Sequence, residues 1–187
     1  MKFNPNIKKW IKDVIIAVLI VVGIQLFISP LTVYSISMNP TLVEGDVLVL
    51  LKHSTFERGD IISFYSELPY TEKEYASLNI FQKWMTKIHP NKSLIKRVIA
   101  LPGDSIRITQ GQVFVNGERL TEPYLGSPTS GEVDIQSLPE NKYFVMGDNR
   151  ANSLDSRSEG VGLISKEDIM GKILVRVLPM NKLGKVN

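Results

Sequence analysis

Between Val14 and Ile28 the chain reads VIIAVLIVVGIQLFI, an apolar run in which Gln25 is the one strongly polar side chain. As a helix this run rises roughly 22 Å, short of the ~30 Å hydrocarbon core of a bilayer. Extension from Ile11 to Leu31, with Lys12 snorkelling toward the headgroups, brings it into range, and Pro30 is expected to end the helix. A cleaved leader would show a small-residue cleavage site after the run, and Phe27-Ile28-Ser29-Pro30-Leu31 offers none. The buried helix of a soluble protein seldom stays clear of charge for so long. Residues 1–31 are therefore expected to be a short N-terminal tail and a transmembrane anchor, and residues 32–187 a separate folded part.

Beyond the anchor the spacing changes to short runs rich in Val, Ile, Leu and Phe, the signature of strands. Strands are predicted over Asp46–Leu51, Asp60–Ser66, Leu94–Leu101, Ser105–Thr109, Gln112–Val115, Tyr143–Met146 and Lys172–Leu178. Asn116-Gly117, set between Val113-Phe114-Val115 and Glu118-Arg119-Leu120, is a type I′ hairpin signal. Leu101-Pro102-Gly103-Asp104 and Glu44-Gly45-Asp46 mark tight turns, and Thr121–Glu140 reads as a long surface loop. One segment breaks the pattern. Thr71-Glu72-Lys73-Glu74 has capping-box spacing, and Tyr75, Leu78, Phe81, Trp84, Met85 and Ile88 follow at helical intervals until His89-Pro90. This insertion over 71–89 is expected to cover an end of the sheet; the sharper alternative is an amphipathic helix against lipid headgroups or a partner. The fold class is mainly β.

Charge and composition narrow the field. Lys2, Lys8, Lys9 and Lys12 against Asp13 account for the whole net charge of +3, so the exterior part is electrically balanced and lacks the basic surface of a nucleic-acid binder. The lysines preceding the anchor place the N-terminus in the cytoplasm by the positive-inside bias. With no cysteine, disulfides, thiolate zinc sites and a cysteine nucleophile are excluded; two histidines make a histidine-rich metal site improbable. No nucleotide or metal motif occurs, and no cofactor is expected.

The candidate chemistry begins with Ser37, in Ser35-Ile36-Ser37-Met38-Asn39-Pro40-Thr41-Leu42, some ten residues past the anchor. A serine hydroxyl needs a base within hydrogen-bond reach. His53 reads as an exposed turn residue and His89 sits before a proline, so neither suits a triad. Lys96 remains. In a period-2 strand one of the pair Lys96 and Arg97 must face inward, and burial between Leu94-Ile95 and Val98-Ile99 would lower the lysine pKa toward the working pH. On spacing alone a snorkelling surface lysine competes with this reading. A third run, Gly147-Asp148-Asn149-Arg150-Ala151-Asn152-Ser153-Leu154-Asp155-Ser156-Arg157, is polar and turn-rich, and by itself reads as ordinary loop chemistry.

Together these runs resemble bacterial type I signal peptidases, membrane-anchored serine–lysine endopeptidases, and most resemble the Gram-positive branch. Ser37-Met38 with Pro40-Thr41-Leu42 matches the nucleophile box. Leu51 to Asp60, followed by Ile61-Ile62, is similar to the next strand box. Lys96-Arg97-Val98-Ile99 with Pro102-Gly103-Asp104 matches the general-base box, and Gly147-Asp148-Asn149-Arg150 through Asp155-Ser156-Arg157 matches the last. The order is that of the family and covers the anchor and essentially the whole exterior part. Ala151 stands where an acidic residue is common, and the helical stretch between Tyr65 and Ser93 is unusually long.

The resemblance implies a β-rich catalytic domain of the kind shared with LexA-like self-cleaving repressors. It assigns Ser37 as nucleophile and Lys96 as general base, with Ser153 orienting the lysine amine. Ser35 and the Ser37 N–H would form the oxyanion hole, Asp148 and Arg157 an ion pair bracing the site, and Asp155 a further supporting carboxylate. It implies signal-peptide-bearing preproteins as substrates, cut after Ala-x-Ala-like sequences, with the lipid bilayer and the protein-export channel as surroundings and no metal. A repressor-type peptidase would need a DNA-binding module where this chain has an apolar span. A non-enzymatic membrane-tethered scaffold is the other rival, and the survival of Ser37, Lys96 and Ser153 speaks against it.

Overall fold

The computed structural model describes residues 5–78, 80–87 and 90–186; Ile88 and His89, where the insertion is expected to end, lie outside them. Helix α1 (Pro5–Phe27) carries the apolar run. Its segment Lys9–Phe27 is long and apolar enough to cross a membrane, with a mean hydropathy of 2.2, and none of it is buried against the rest of the protein. The helix stops at Phe27, short of the expected limit at Leu31. The next residues form strand β1 (Ile28–Thr32) instead, antiparallel to β2 (Val47–Leu51). Pro30 is tolerated there because β1 is an edge strand, where a missing N–H need not break a ladder.

Most of the other strands follow predicted runs, while β8, β10 and β12 were not foreseen. They are β3 (Ile61–Pro69), β4 (Asn91–Ala100), β5 (Ile106–Thr109), β6 (Gln112–Val115), β7 (Glu118–Arg119), β8 (Val133–Ile135), β9 (Lys142–Met146), β10 (Ile164–Ser165), β11 (Ile169–Leu178) and β12 (Gly184–Lys185). The larger sheet runs β1-β2-β11-β3-β4-β9-β10, with β12 also on β11; the smaller runs β7-β6-β5-β8. The β6–β7 turn is the expected hairpin, with Asn116 and Gly117 both at positive φ (53° and 81°), as a type I′ turn requires.

The registers define one row across the larger sheet: Ile28 opposite Leu51, Leu51 opposite Lys172, Lys172 opposite Ile62, and Ile62 opposite Lys96. The first residue after α1 and the candidate base thus share a level. The Lys52 N–H donates to the Phe27 carbonyl at 2.8 Å, which ties the helix end into the same ladder.

Three apolar clusters hold the sheets. Val33, Met38, Leu42, Leu48, Leu50, Ile61 and Ile173 pack the loop that carries Ser37 onto β2, β3 and β11. Ile62, Phe64, Val98, Tyr143, Val145 and Ile164 form a second group. Ile99, Ile106, Ile108, Val113, Val115, Phe144 and Met146 join the smaller sheet to β4 and β9.

Two regions depart from expectation. The 71–89 segment forms two short helices, α2 (Glu72–Ser77) and α3 (Ile80–Met85), rather than one. The Thr71–Glu74 capping box is present, but Tyr75, Ile80 and Trp84 are exposed, so these three side chains do not cover the sheet. The Thr121–Glu140 stretch is not simply a surface loop, because it contributes β8 and buries Thr129.

Candidate active site

Ser37 lies in a single 3-10 turn, Ile36–Met38, whose neighbours fix its position. Met38 and Leu42 are driven into the core, and the Leu42 N–H donates to the Met38 carbonyl at 2.9 Å. Ser35 caps the turn by accepting from the Ser37 N–H at 3.2 Å. From the other side, the Asn149 N–H donates to the Ser37 carbonyl (3.0 Å) and its side-chain amide to the Ile36 carbonyl (3.1 Å). The loop after β9 is thereby fastened to the turn that carries Ser37.

The Lys96 amine meets the Ser37 hydroxyl at 2.6 Å, and Lys96 is only 2% exposed. Burial is the main cause that brings its pKa down from the ordinary lysine value to about 8; Asp155 and Asp148 pull it back up, and Arg157 pushes it down again. Sequence reasoning expected one of Lys96 and Arg97 to face inward. Both are buried, because both faces of β4 are covered at this point.

Arg97 forms a two-pronged ion pair with Asp148, Nε to Oδ1 at 2.9 Å and Nη2 to Oδ2 at 2.7 Å. It also donates to the Gly59 carbonyl and stacks on the Tyr124 ring at 4.0 Å. The Thr41 hydroxyl donates to the same carboxylate at 2.5 Å. The expected Asp148–Arg157 pair is therefore not formed. Arg157 pairs with Asp155 instead, Nε to Oδ1 at 2.8 Å and Nη2 to Oδ2 at 2.9 Å, since the two lie on one tight turn while Arg97 reaches Asp148 from the neighbouring strand. Burial alone would raise the Asp155 pKa, but Arg157 and the Gly147 N–H hold it below its ordinary value.

Two expected contacts take a different form. Ser153 is brought beside the site, but its buried hydroxyl is turned toward Asp155, whose pKa it helps depress as the least of the causes, and it does not hold the Lys96 amine. Ser35 does sit against Ser37, but its hydroxyl accepts from the Ser37 N–H and donates to the Ser37 hydroxyl at 3.1 Å, so the expected oxyanion donors are engaged with each other. His53 is exposed at positive φ, as expected of a turn residue.

Gly147 is required by close approach. A Cβ there would overlap the Ser153 hydroxyl and the Ser37 carbonyl oxygen. Gly147→Ala is expected to cost about 1–3 kcal/mol, the range for overpacking, and to lower cleavage by displacing the turn that carries Ser37. Thermal unfolding and a cleavage assay on the same preparation check both.

Sequence reasoning missed a second buried group. Arg150 pairs with Glu122 and donates to the Thr129 hydroxyl oxygen, while its Nε donates to the Gly147 carbonyl at 3.1 Å. The Tyr124 hydroxyl donates to Glu122 at 2.8 Å. The only available signal was Glu122 and Tyr124 in a stretch read as loop, with their partners far away in sequence.

Several known proteins resemble this chain over most of its length. The family model for "Signal peptidase, peptidase S26" matches residues 7–178. Signal peptidase I of Bacillus licheniformis is 34% identical over 194 residues, 96% of this chain and 92% of that protein. Signal peptidase I S of Bacillus subtilis (strain 168) is 32% identical over 200 residues, 98% and 96% of the two chains. A probable signal peptidase I-2 of Synechocystis is 33% identical over 191 residues, 98% and 80%. A solved signal peptidase I from Enterococcus faecalis V583 aligns at a TM-score of 0.47 and 24% identity, covering 64% of this chain and 97% of that one. The chain belongs to the peptidase S26 family of signal peptidases. It is accordingly an enzyme, a serine peptidase of the signal peptidase I type.

Proposed function

We propose that this chain is a membrane-anchored endopeptidase that removes N-terminal signal peptides from exported preproteins, with Ser37 as nucleophile and Lys96 as general base. The observation that carries the reading is the 2.6 Å contact between the Ser37 hydroxyl and a buried amine whose pKa is about 8. Moving a lysine pKa from 10.5 to about 8 raises the neutral fraction at pH 7 by roughly 300-fold.

With Lys96 neutral, one consistent chain of hydrogen bonds results. The Ser37 N–H donates to Ser35, the Ser35 hydroxyl to the Ser37 hydroxyl, and the Ser37 hydroxyl to the lysine nitrogen. As Ser37 attacks the scissile carbonyl, its proton passes to Lys96 and from there to the departing amine. Lys96 then takes a proton from water to release the acyl group. Rotation of the Ser35 side chain frees both its hydroxyl and the Ser37 N–H for the oxyanion. Ser153, whose hydroxyl lies buried beside Asp155, offers that hydroxyl to the lysine nitrogen when that group swings toward the leaving group. Asp148, Asp155 and Arg157 act through position, bracing the strands and loop that carry the dyad. Cleavage after Ala-x-Ala-like sequences follows from the family resemblance, as does work beside the export channel. The lysines before α1 set its N-terminus in the cytoplasm, which leaves the β-rich part on the outer side.

The test is cleavage of a preprotein with an Ala-x-Ala site by the full chain in liposomes. Ser37→Ala and Lys96→Ala should each abolish cleavage, and survival of activity in either would move the chemistry elsewhere. In the native chain kcat/KM should rise about tenfold per pH unit below pH 8 and level off above it, because the deprotonated amine is the active form. A profile flat from pH 6 to about 9 would remove Lys96 from the role of base.

A further inference from the structure

The insertion between β3 and β4 is the element for which the chemistry above has no use. Ile80 is 90% exposed, Trp84 54% and Tyr75 43%. Ile80 and Trp84 are four apart in α3 and so share one face of it. From Tyr75 to Asn91 the chain carries Lys83 and Lys87 and no carboxylate. Glu74, just before, is engaged by Lys92 and by Thr71.

The sheet register says where this face lies. Starting from the row that joins Ile28 to Ile62 and Lys96, the ladder runs one way into Phe27, Lys52 and α1. In that same direction β3 continues from Ile62 to Pro69, and β4 returns from Asn91. Seven residues of strand carry the tip roughly 23 Å beyond the row, at about 3.3 Å per residue. Three strand steps separate β1 from β3, a lateral offset of roughly 14 Å. A twist of about 20–25° per step turns the tip well away from the β1 direction, laying it sideways. The insertion is thus held on the side of the sheet from which the anchor leaves.

We propose that the insertion is a second membrane contact, in which Ile80 and Trp84 enter the interfacial layer of the leaflet around α1 and Lys83 and Lys87 face its anionic headgroups. This rests on the reading of Lys9–Phe27 as a membrane span. An exposed tryptophan with an aliphatic neighbour on one helical face is the chemistry of the bilayer interface. Lys87 is exposed and Lys83, which lies over the Tyr75 ring and donates to the Ala76 carbonyl, stands in the same acid-free stretch of sequence, so the pair complements an anionic surface. The span also lowers the cost of this contact, since the insertion is already confined near the lipid.

The two tryptophans of the chain, Trp10 in the anchor and Trp84 in the insertion, separate the two readings. The full chain is reconstituted in vesicles of phosphatidylcholine and phosphatidylglycerol whose acyl chains are brominated near the headgroup, with no other protein present. In Trp10→Phe, Trp84 emission should lie at shorter wavelength than that of a water-exposed indole and lose most of its intensity to the brominated lipid. Ile80→Asp in the same background should reduce that quenching. In Trp84→Phe, quenching of Trp10 reports the anchor. Trp10 quenched with Trp84 unquenched would overturn the insertion contact and leave the anchor standing, whether Trp84 then emits as in water or as an indole shielded by protein. Neither quenched would overturn both.

Discussion

Replacing Lys96 with methionine should abolish cleavage while making the protein more stable. The activity loss should be at least 10²–10⁴-fold, the range for removing a general base. The stability gain follows from the lowered pKa. A lysine held at about 8 instead of 10.5 is disfavoured in its charged form by about 3 kcal/mol. Below pH 8 the amine is protonated in both folded and unfolded chains, so that cost is present in full. As pH rises from 8 to above 10.5 the unfolded chain holds the proton more tightly than the folded one, and the cost disappears. Lys96→Met should therefore unfold at a higher temperature than the native chain at pH 7, and the difference should close at alkaline pH. Calorimetry in detergent at the two pH values reads it directly. A gap that does not depend on pH would mean that the buried amine is not strained as its surroundings imply.

Asp148→Ala should be the most destabilising change near the site. It leaves Arg97, only 3% exposed, without its carboxylate, and takes the acceptor from Thr41. Breaking a buried pair by removing one partner costs about 3–5 kcal/mol, which for a domain of marginal stability is a large share. Removing both, in Arg97→Met with Asp148→Ala, should recover much of that loss, because no uncompensated charge is left behind. Denaturant unfolding of the single and double variants gives the coupling. The same change should move the pH–rate profile to lower pH, since Asp148 is one of the two carboxylates that raise the Lys96 pKa. If the double variant were no more stable than Asp148→Ala, the carboxylate would matter for something other than balancing Arg97.

Much of this was legible in the residues. The apolar pairs on either side of Lys96 announced a strand, the family resemblance and not the spacing favoured burial of its lysine, and Asn116-Gly117 announced its hairpin. Strand β1 was not, because Ile28–Thr32 continues an apolar run and its proline looks like a helix stop; only pairing with β2 makes it a strand. The partner of Asp148 was equally hidden. Arg97 and Arg157 both stand in runs that resemble the family, and nothing local distinguishes an arginine on the adjacent strand from one nine residues further along. Ser153 and Ser35 were read as donors to other groups, and the structure keeps one turned toward Asp155 and the other turned back on Ser37. Hydroxyl orientation depends on three or four atoms at once, which spacing does not encode. Glu122 and Arg150 failed for another reason: a turn-rich stretch gives no sign of which of its four acidic side chains is destined for burial.

The row from Ile28 to Lys96 also makes the enzyme a ruler. The last turn of α1 and Lys96 are joined through hydrogen-bonded strands, so in the proposed membrane-anchored enzyme the strand ladder, and not a long linker, sets the distance between span and amine. In that proposal the ladder sets the height of the cut above the bilayer, and a preprotein brings its scissile bond to that height. Inserting residues between Phe27 and Ile28 would recalibrate the instrument without touching a catalytic group.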